Sequence, residues 1–258
     1  MWTRDQVLAA SHAWQWIPPG AEELHVDDVV VIDYPEWARM GFYAMPAYVR
    51  DPALAVSAVC EAARSRGRTA TEWWITPSTS PAELEATLIE RGAVESDVAD
   101  ILAYDLSDGV PSVPVPGNVH SVVVTDPLSL DDAESVAATV WGGEPSSGER
   151  RDAQLRSLGD PLDEQGGFRV VGYLHRTAFA TAGCQVVDGV ARLYGGCVLP
   201  EMRGRGGYRE TLRKRLDVAY DHGARLALVH ARVNTSKPIL TRLGFLSYGA
   251  GRLYSLTV

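Results

Sequence analysis

A run of glycine and arginine residues in the second half of the chain has the composition of an anion-binding turn. Residues 203–208 read Arg-Gly-Arg-Gly-Gly-Tyr and follow the mostly apolar stretch 190–199, which is typical of a buried strand. Residues 208–222 carry apolar side chains at helical spacing and predict a helix. The first N–H groups of a helix lack intrahelical partners and lie at the positive end of its dipole. The turn therefore predicts a phosphate site, to which Arg203 and Arg205 add positive charge.

The same segment resembles a known signature for binding acetyl-coenzyme A (acetyl-CoA). In the GNAT N-acetyltransferases this signature is Arg or Gln, two residues, Gly, one residue, and then Gly or Ala. Arg203 and Gly206 match it, whereas Tyr208 occupies its last place and departs from it. The alternative is an ordinary glycine-rich turn between a strand and a helix in another α/β fold.

A second segment strengthens the resemblance. A later signature of the family, a strand followed by a helix and a Gly-Phe pair, is similar to residues 226–233, residues 236–243 and Gly244-Phe245. The resemblance covers roughly residues 119–258 and implies the GNAT fold for that part of the chain.

The resemblance also implies where the coenzyme binds. The main chain of the strand before the turn is expected to hold the pantetheine arm and the thioester carbonyl, and the N–H groups of the turn are expected to hold the diphosphate. The residues concerned are Gly196, Cys197 and Val198 on the strand, and Arg203, Gly204, Arg205, Gly206, Gly207 and Tyr208 in the turn. No metal is expected, because none of the six histidines stands at metal-ligand spacing with cysteine or a carboxylate.

Acyl transfer to an amine also needs groups that move protons. GNAT enzymes often place a tyrosine just before the terminal Gly-Phe as the acid, and Leu240 stands at that place here. Asn234 and Ser236, near the crossing from strand to helix, are candidate catalytic residues that position a water or the thiol. The alternative for Ser236 is a plain helix cap.

The strand before the turn offers further candidates. Where many family members carry a carboxylate base, this chain has Arg192, a candidate for binding a substrate carboxylate. Its neighbour on the same face, Tyr194, is a candidate catalytic residue acting through water. The alternative is that both are ordinary strand residues. Cys197 has no evident base beside it and is expected to be a buried small residue, and His230 is expected to be a core histidine.

Charge and composition narrow the classes of partner. The net charge is −9: residues 1–110 hold 18 acidic and 7 basic side chains (−11), and residues 111–258 hold 15 and 17 (+2). This acidity argues against a nucleic-acid partner and favours one anionic ligand at the basic turn. With three widely spaced cysteines, no apolar run of spanning length and no signal-peptide pattern, a cytoplasmic protein without membrane association is expected.

These residues must be positioned by helices and strands, and the predicted order of those elements indicates an α/β fold with a mixed sheet. Residues 67–106 and 223–256 repeat one order of strand, turn, helix, glycine and strand. We therefore expect a degenerate GNAT-like domain over residues 1–107, a proline-rich linker over 108–118 and a GNAT domain over 119–258. The alternative is two unrelated α/β halves.

The N-terminal half is not expected to bind the coenzyme. The turn before its first repeat helix has no glycine and contains Asp51, whose charge would repel phosphate. In this half a strand is expected over residues 26–34, and another is expected over residues 42–49 with an interruption at Pro46.

The leading hypothesis is an acetyl-CoA-dependent N-acetyltransferase that acts on a small-molecule amine by direct attack, as a monomer or a homodimer. The alternative is a non-catalytic acyl-CoA-binding module, because the usual acid and base are absent. Aminoacyl transfer from tRNA is a third hypothesis, which the acidity weakens.

Overall fold

The computed structural model describes residues 1–38, 40–160, 162 and 166–258. The described chain contains seven α-helices: α1 (Arg4–His12), α2 (Pro52–Ser65), α3 (Glu83–Glu90), α4 (Pro127–Trp141), α5 (Gly148–Ser157), α6 (Gly207–Asp221) and α7 (Ser236–Arg242). Its strands are β1 (Glu22–Val26), β2 (Val29–Asp33), β3 (Phe42–Met45), β4 (Ala70–Ile75), β5 (Val94–Asp105), β6 (Val119–Val123), β7 (Phe168–Leu174), β8 (Thr177–Val187), β9 (Val190–Val198), β10 (Leu226–Arg232) and β11 (Leu246–Thr257). None of the described helices is long and apolar enough to cross a lipid bilayer.

The chain forms two compact units that interleave along the sequence. The first unit comprises Met1–Trp2, Ala103–Val229 and Leu240–Leu246, and the second comprises Thr3–Leu102, His230–Ile239 and Ser247–Val258. Strands β5, β10 and β11 therefore contribute residues to both units. The expected domain bounds, 1–107 and 119–258 with 108–118 as a linker, stay a prediction.

In the first unit the strands lie in the order β6-β7-β8-β9-β10. Strands β6 to β9 are antiparallel neighbours, and β10 runs parallel to β9. Helix α4 packs on one face of this sheet, where Val171 of β7 meets Leu130 and Ala133. Helix α6 packs on the other face, because Gly172 is directed at Thr211 of that helix. Successive residues of a strand point to opposite faces, so the sheet is covered on both sides.

In the second unit the strand order is β1-β2-β3-β4-β11-β5. Strands β3 and β4 are parallel, and the other pairs from β1 to β11 are antiparallel. Helices α2 and α3 supply Val56, Val59 and Leu84 to a core that surrounds the fully buried Trp73.

One sequence-based prediction in this unit is wrong. Residues 26–34 do not form a single strand, because β1 and β2 make an antiparallel hairpin in which Val26 pairs with Val29. The two-residue turn between them places Asp27 at a φ of 54°. Aspartate tolerates this left-handed conformation, which matches the twist of paired strands. The strand expected over 42–49 with an interruption at Pro46 ends at Met45, because Pro46 has no N–H to donate to a ladder.

The expected repeat is present in the order of elements. The series β3-α2-β4-α3-β5 and β9-α6-β10-α7-β11 each begin with two parallel strands joined by a helix. The short helix of each series is followed by a glycine in the left-handed region, Gly92 at a φ of 89° and Gly244 at 93°. Such glycines end helices without steric strain.

Candidate functional site

Strand β9 carries a bulge near its end. Gly183 and Thr181 of β8 lie opposite Tyr194 and Cys197 of β9, so two steps along β8 correspond to three along β9. The additional residue is accommodated at Gly195, which has a φ of 59°. A bulge interrupts the ladder locally and redirects the main chain.

The pairing of β9 with β10 ends before this bulge. The parallel register runs from Val190 with Leu226 to Arg192 with Leu228 and goes no further. Strand β9 itself continues to Val198. In the described chain, the side of residues 193–198 that faces away from β8 therefore has no strand partner in β10. Such main-chain groups can bind an extended ligand.

The predicted glycine turn follows directly and leads into α6. Pro200–Met202 form one turn of 3-10 helix, and Gly206, at a φ of 93°, is the cap residue of α6. No described side chain caps the first N–H groups of this helix. Arg203 and Arg205 are exposed beside it. This end of α6 therefore has the donors and the charge that an anion requires.

Two glycines seat the start of α6 against its surroundings. A Cβ atom at Gly207 would lie 2.6 Å from Cε2 of Phe179 on β8, and one at Gly206 would lie 2.6 Å from Cδ of Pro116. Both distances are far below van der Waals contact. These glycines let the helix begin close to the sheet, whereas Gly204 has open space around it at a φ of 79°.

Tyr208, which departs from the signature, lies in the first turn of α6. Its ring is directed at β9, because Cε2 lies 3.2 Å from the position that a Cβ at Gly196 would take. The ring thus covers the α6-facing side of the bulge, and Gly196 has no side chain to collide with it.

The corresponding helix of the second unit has the opposite chemistry at its N-terminus. The carboxylate of Asp51 accepts a hydrogen bond from the N–H of Leu54 at 3.0 Å and so caps α2. A capped end offers fewer donors, and the negative charge opposes a phosphate.

The space between the ends of β3 and β4 is also closed. The N–H of Ser80 donates to the carbonyl of Ala47 at 2.8 Å, and the N–H of Val49 donates to the carbonyl of Ser80 at 2.9 Å. The hydroxyl of Thr79 donates to the carbonyl of Pro46 at 3.0 Å. In the second unit the main-chain groups that follow β3 are thus hydrogen-bonded to other residues of the chain. Among the described residues, the corresponding groups at the end of β9 have no partner in β10.

The first candidate catalytic residue, Tyr194, points across the sheet. Its ring fills the space above Gly183, where a Cβ would lie 2.3 Å from Cε2, and its hydroxyl lies 3.5 Å from the Cβ position of Gly167. The hydroxyl is therefore directed over β8 and away from β10. Tyr194 is 46% exposed, and desolvation of its covered part raises its pKa, which favours a proton donor over a base.

Arg192 and Cys197 lie on the same strand and are both buried. Arg192 is 8% exposed and belongs to the paired part of β9, and burial lowers the pKa of its guanidinium. Cys197 is 6% exposed, and burial raises the pKa of its thiol although the Trp141 side chain donates a hydrogen bond to it. A neutral, buried thiol is a poor nucleophile.

The other two candidate catalytic residues lie at the start of α7. Asn234 is exposed, and the hydroxyl of Ser236 donates to the carbonyl of Arg232 at 3.5 Å. Both belong to the second unit and Tyr194 belongs to the first, so a shared catalytic role stays a prediction. Leu240, at the place of the family's usual acid, is fully buried.

Sequence reasoning missed three buried charged residues of the first unit, Glu134, Glu210 and Arg215. Glu134 on α4 is 6% exposed. Its Oε2 accepts a hydrogen bond from the N–H of Ser146 at 3.0 Å and lies 3.7 Å from Nη1 of Arg151. Glu134 therefore holds the segment that follows α4. Arg215 on α6 is 2% exposed. Its position on the apolar stripe, three residues after Leu212, was the available signal. Groups of His, Cys, Asp and Glu suited to a metal ion are absent from the described residues.

Comparison with known proteins identifies the architecture. No family model and no curated protein matches the chain. Among solved structures, a GCN5-related N-acetyltransferase from Kribbella flavida superposes with a TM-score of 0.73 at 19% identity, covering 96% of this chain and 94% of that one. The chain has the fold of the GCN5-related N-acetyltransferases. A GNAT protein from Sphaerobacter thermophilus gives a TM-score of 0.67 at 17% identity, covering 89% of this chain and 80% of that one.

A third GNAT structure matches the tandem arrangement. A tandem GNAT protein from the clavulanic acid biosynthesis pathway has a TM-score of 0.62 at 16% identity and covers 98% of this chain and 87% of that chain. The expected α/β mixed sheet and the tandem GNAT fold are thereby confirmed. At these identities the likeness concerns the fold, and the chemistry of the site must be argued from its residues.

Proposed function

We propose that this protein is an acetyl-CoA-dependent N-acetyltransferase that acetylates the primary amine of a small molecule. One observation carries the proposal: the unpaired end of β9 leads directly into the uncapped N-terminus of α6. An extended thioester arm ending in a diphosphate needs these two features in this order, main-chain partners along a strand and then N–H donors at a helix start.

The residues present fit that ligand. The arm and the thioester carbonyl would lie along Gly196, Cys197 and Val198, and the diphosphate would bind at residues 203–208. When bound, acetyl-CoA supplies an activated acetyl group: its carbonyl carbon bonds to the amine nitrogen, the C–S bond breaks, and a proton from the amine ends on the released thiol. The N–H groups of the bulge would polarise the carbonyl.

The chain's own groups favour direct attack by the amine. A covalent acetyl-enzyme would need an activated nucleophile, and the Cys197 thiol is neutral and 6% exposed. Tyr194 is 46% exposed and is protonated near pH 7, because desolvation of its covered part raises a pKa that already lies well above 7, so it can donate a proton through a water molecule. Arg192 would hold an acceptor carboxylate.

We propose one acetyl-CoA site per chain, in the first unit. In the second unit Asp51 caps α2, and the bonds of Ser80 close the space beside β3. We therefore expect one coenzyme per chain, bound by the first unit.

A cationic small-molecule amine suits the charge of the protein. The net charge of −9 attracts cations at long range and disfavours nucleic acid, so neither a nucleic-acid partner nor a membrane is part of the proposal. Three free and buried cysteines are compatible with the reducing cytoplasm.

A second candidate function is a non-catalytic acyl-CoA-binding module. Two observations favour it: the buried Leu240 stands where the family's acid is usual, and the Tyr194 hydroxyl is directed away from the β10 side of β9. Such a module would bind acetyl-CoA and leave its thioester intact.

Calorimetry with acetyl-CoA and a thiol-release assay across a panel of amines test both candidates. The enzyme is expected to bind one acetyl-CoA and to release thiol faster when a suitable amine is present. Binding without amine-stimulated release would support the module, and no binding would refute both.

A matched pair of variants locates the bound coenzyme. Arg205→Gln removes a charge at the turn and is expected to weaken acetyl-CoA affinity about two- to fivefold, as for exposed ion pairs. Lys214→Gln removes the same charge further along α6 and is expected to leave the affinity unchanged. Equal affinities in the two variants would place the ligand elsewhere.

A further inference from the structure

A buried arginine lies beneath the bulge of β9. Arg215 is on α6, is 2% exposed and is among the largest fully buried side chains of the chain. Its neighbours on the inner stripe of the helix, Leu212 and Leu216, are apolar and fully buried. A buried guanidinium loses its hydration and persists only when the fold gives it hydrogen-bond partners.

The partners of Arg215 are main-chain carbonyls around the bulge. Its Nε donates to the carbonyl of Thr211 on its own helix at 3.1 Å. Its Nη1 donates to the carbonyl of Gly183 on β8 at 3.0 Å and to that of Tyr194 on β9 at 3.5 Å. Gly183 and Tyr194 are the last residues that face each other before the register shifts. One side chain thus ties α6 to both strands where the bulge begins.

The guanidinium reaches the bulge itself. Its Nη2 lies 3.7 Å from the position that a Cβ at Gly196 would occupy. A Cβ at Gly196 would make ordinary contact with Nη2 of Arg215, but it would be too close to the Tyr208 ring, which lies at 3.2 Å from the same position and would have to shift.

The positive charge of Arg215 has no acidic counterpart in the described part of the chain. The ion pairs formed by the described residues do not include it, and the ionisable groups that act on it are Tyr208, Cys184 and Tyr194. Burial raises the pKa of Cys184 to about 12 and also raises that of Tyr194, so both are neutral near pH 7. Burial lowers the pKa of Arg215, which remains protonated because an arginine guanidinium does not lose its proton in proteins.

We propose that Arg215 is a positioning residue for acyl transfer: it holds the β9 bulge at Gly195 and Gly196 in shape and places an uncompensated positive charge under it. This inference rests on the proposed function, since the bulge is where the thioester would bind. A cation at that place favours ligands with negative charge or with charge that develops during reaction.

Hydrogen exchange in the ligand-free protein tests the positioning role directly. Arg215→Met keeps the length of the side chain and loses its charge and its N–H donors. Arg215→Lys keeps the charge and loses the planar guanidinium group. Lys214→Met is the matched control on the same helix. We expect amide exchange over residues 193–199 to be about tenfold faster or more in Arg215→Met, since hydrogen bonds to charged donors are the stronger class. Arg215→Lys is expected to fall between, and Lys214→Met to match the wild type.

The pattern of exchange separates positioning from general support of the fold. Faster exchange confined to the bulge supports the proposal, whereas an equal increase throughout the first unit, with a lower melting temperature, would show a merely structural residue and overturn it. If Arg215→Met does not fold, Arg215→Lys decides the question by the same comparison.

Binding and kinetics form a second arm. Acetyl-CoA affinity is expected to fall about tenfold in Arg215→Met. The kcat of this variant is also expected to fall, although its melting temperature stays that of the wild type, and Arg215→Lys is expected to restore part of both losses. A wild-type protein that binds no acetyl-CoA would refute the proposed function and leave the exchange result to stand alone. A wild-type protein that binds it, with unchanged affinity and exchange in Arg215→Met, would refute only the role of Arg215.

Discussion

The start of α6 can be perturbed by a single methyl group. Gly206→Ala places a Cβ at a φ of 93° and within 2.6 Å of Cδ of Pro116. Gly223→Ala, just beyond the other end of the same helix, places a Cβ at a φ of 86° with nothing within 4 Å. The two substitutions share the backbone strain and differ in the collision.

The magnitudes follow from those two terms. An alanine in the left-handed region costs about 1–2 kcal/mol, and forcing a methyl group into filled space costs about 1–3 kcal/mol more. The unfolding free energy is therefore expected to fall by about 1–2 kcal/mol in Gly223→Ala and by about 2–5 kcal/mol in Gly206→Ala. The proline ring is rigid, so the helix start must move to relieve the collision.

Urea denaturation and calorimetry measure the two consequences. Gly206→Ala is expected to lose about tenfold or more in acetyl-CoA affinity, because a displaced helix start no longer presents its N–H groups to the diphosphate. Gly223→Ala is expected to bind as the wild type does. Equal stability losses in both variants would show that the collision with Pro116 is absent. Unchanged affinity in a destabilised Gly206→Ala would refute the assignment of the diphosphate to this turn.

Three further outcomes are expected. Asp51→Ala should lower the unfolding free energy by about 1 kcal/mol and leave one acetyl-CoA bound per chain in calorimetry; a second bound molecule would show that the cap alone excludes it. Burial lowers the pKa of His230 from 6.5 to about 4, so the unfolded chain binds the extra proton, and the unfolding free energy should rise with pH between these values. His230→Gln should remove this part of the rise, and an unchanged pH slope would contradict a neutral His230. Incubation with acetyl-CoA alone should leave the intact mass unchanged, because the Cys197 thiol is neutral; an acetylated Cys197 would contradict direct attack.

The fold was largely predictable because its signals are local. The apolar spacing along α6 and the glycine at its start are properties of neighbouring residues, and both predicted the observed helix at 207–221. The single strand expected over 26–34 failed because its residues have similar β propensity on both sides of a two-residue turn. Propensity does not reveal that Asp27 adopts a left-handed φ.

The candidate site was predictable only in part. Residues 203–208 were found from composition, and the structure adds that the donors of this turn are uncapped whereas those of α2 are used by Asp51. The direction of the Tyr194 hydroxyl depends on Gly183, which lies on a different strand. No spacing within one strand can show which neighbour a side chain covers.

By itself, the sequence determined the helices, most strands, the repeat and the basic glycine turn, since each depends on residues a few positions apart. The tertiary structure alone decided that β9 leaves β10 after Arg192, that a bulge forms at Gly195, and that Arg215 is buried beneath it. These features depend on the register between strands and on the docking of a helix onto a sheet. Both join residues that are distant along the chain, and local patterns do not record them.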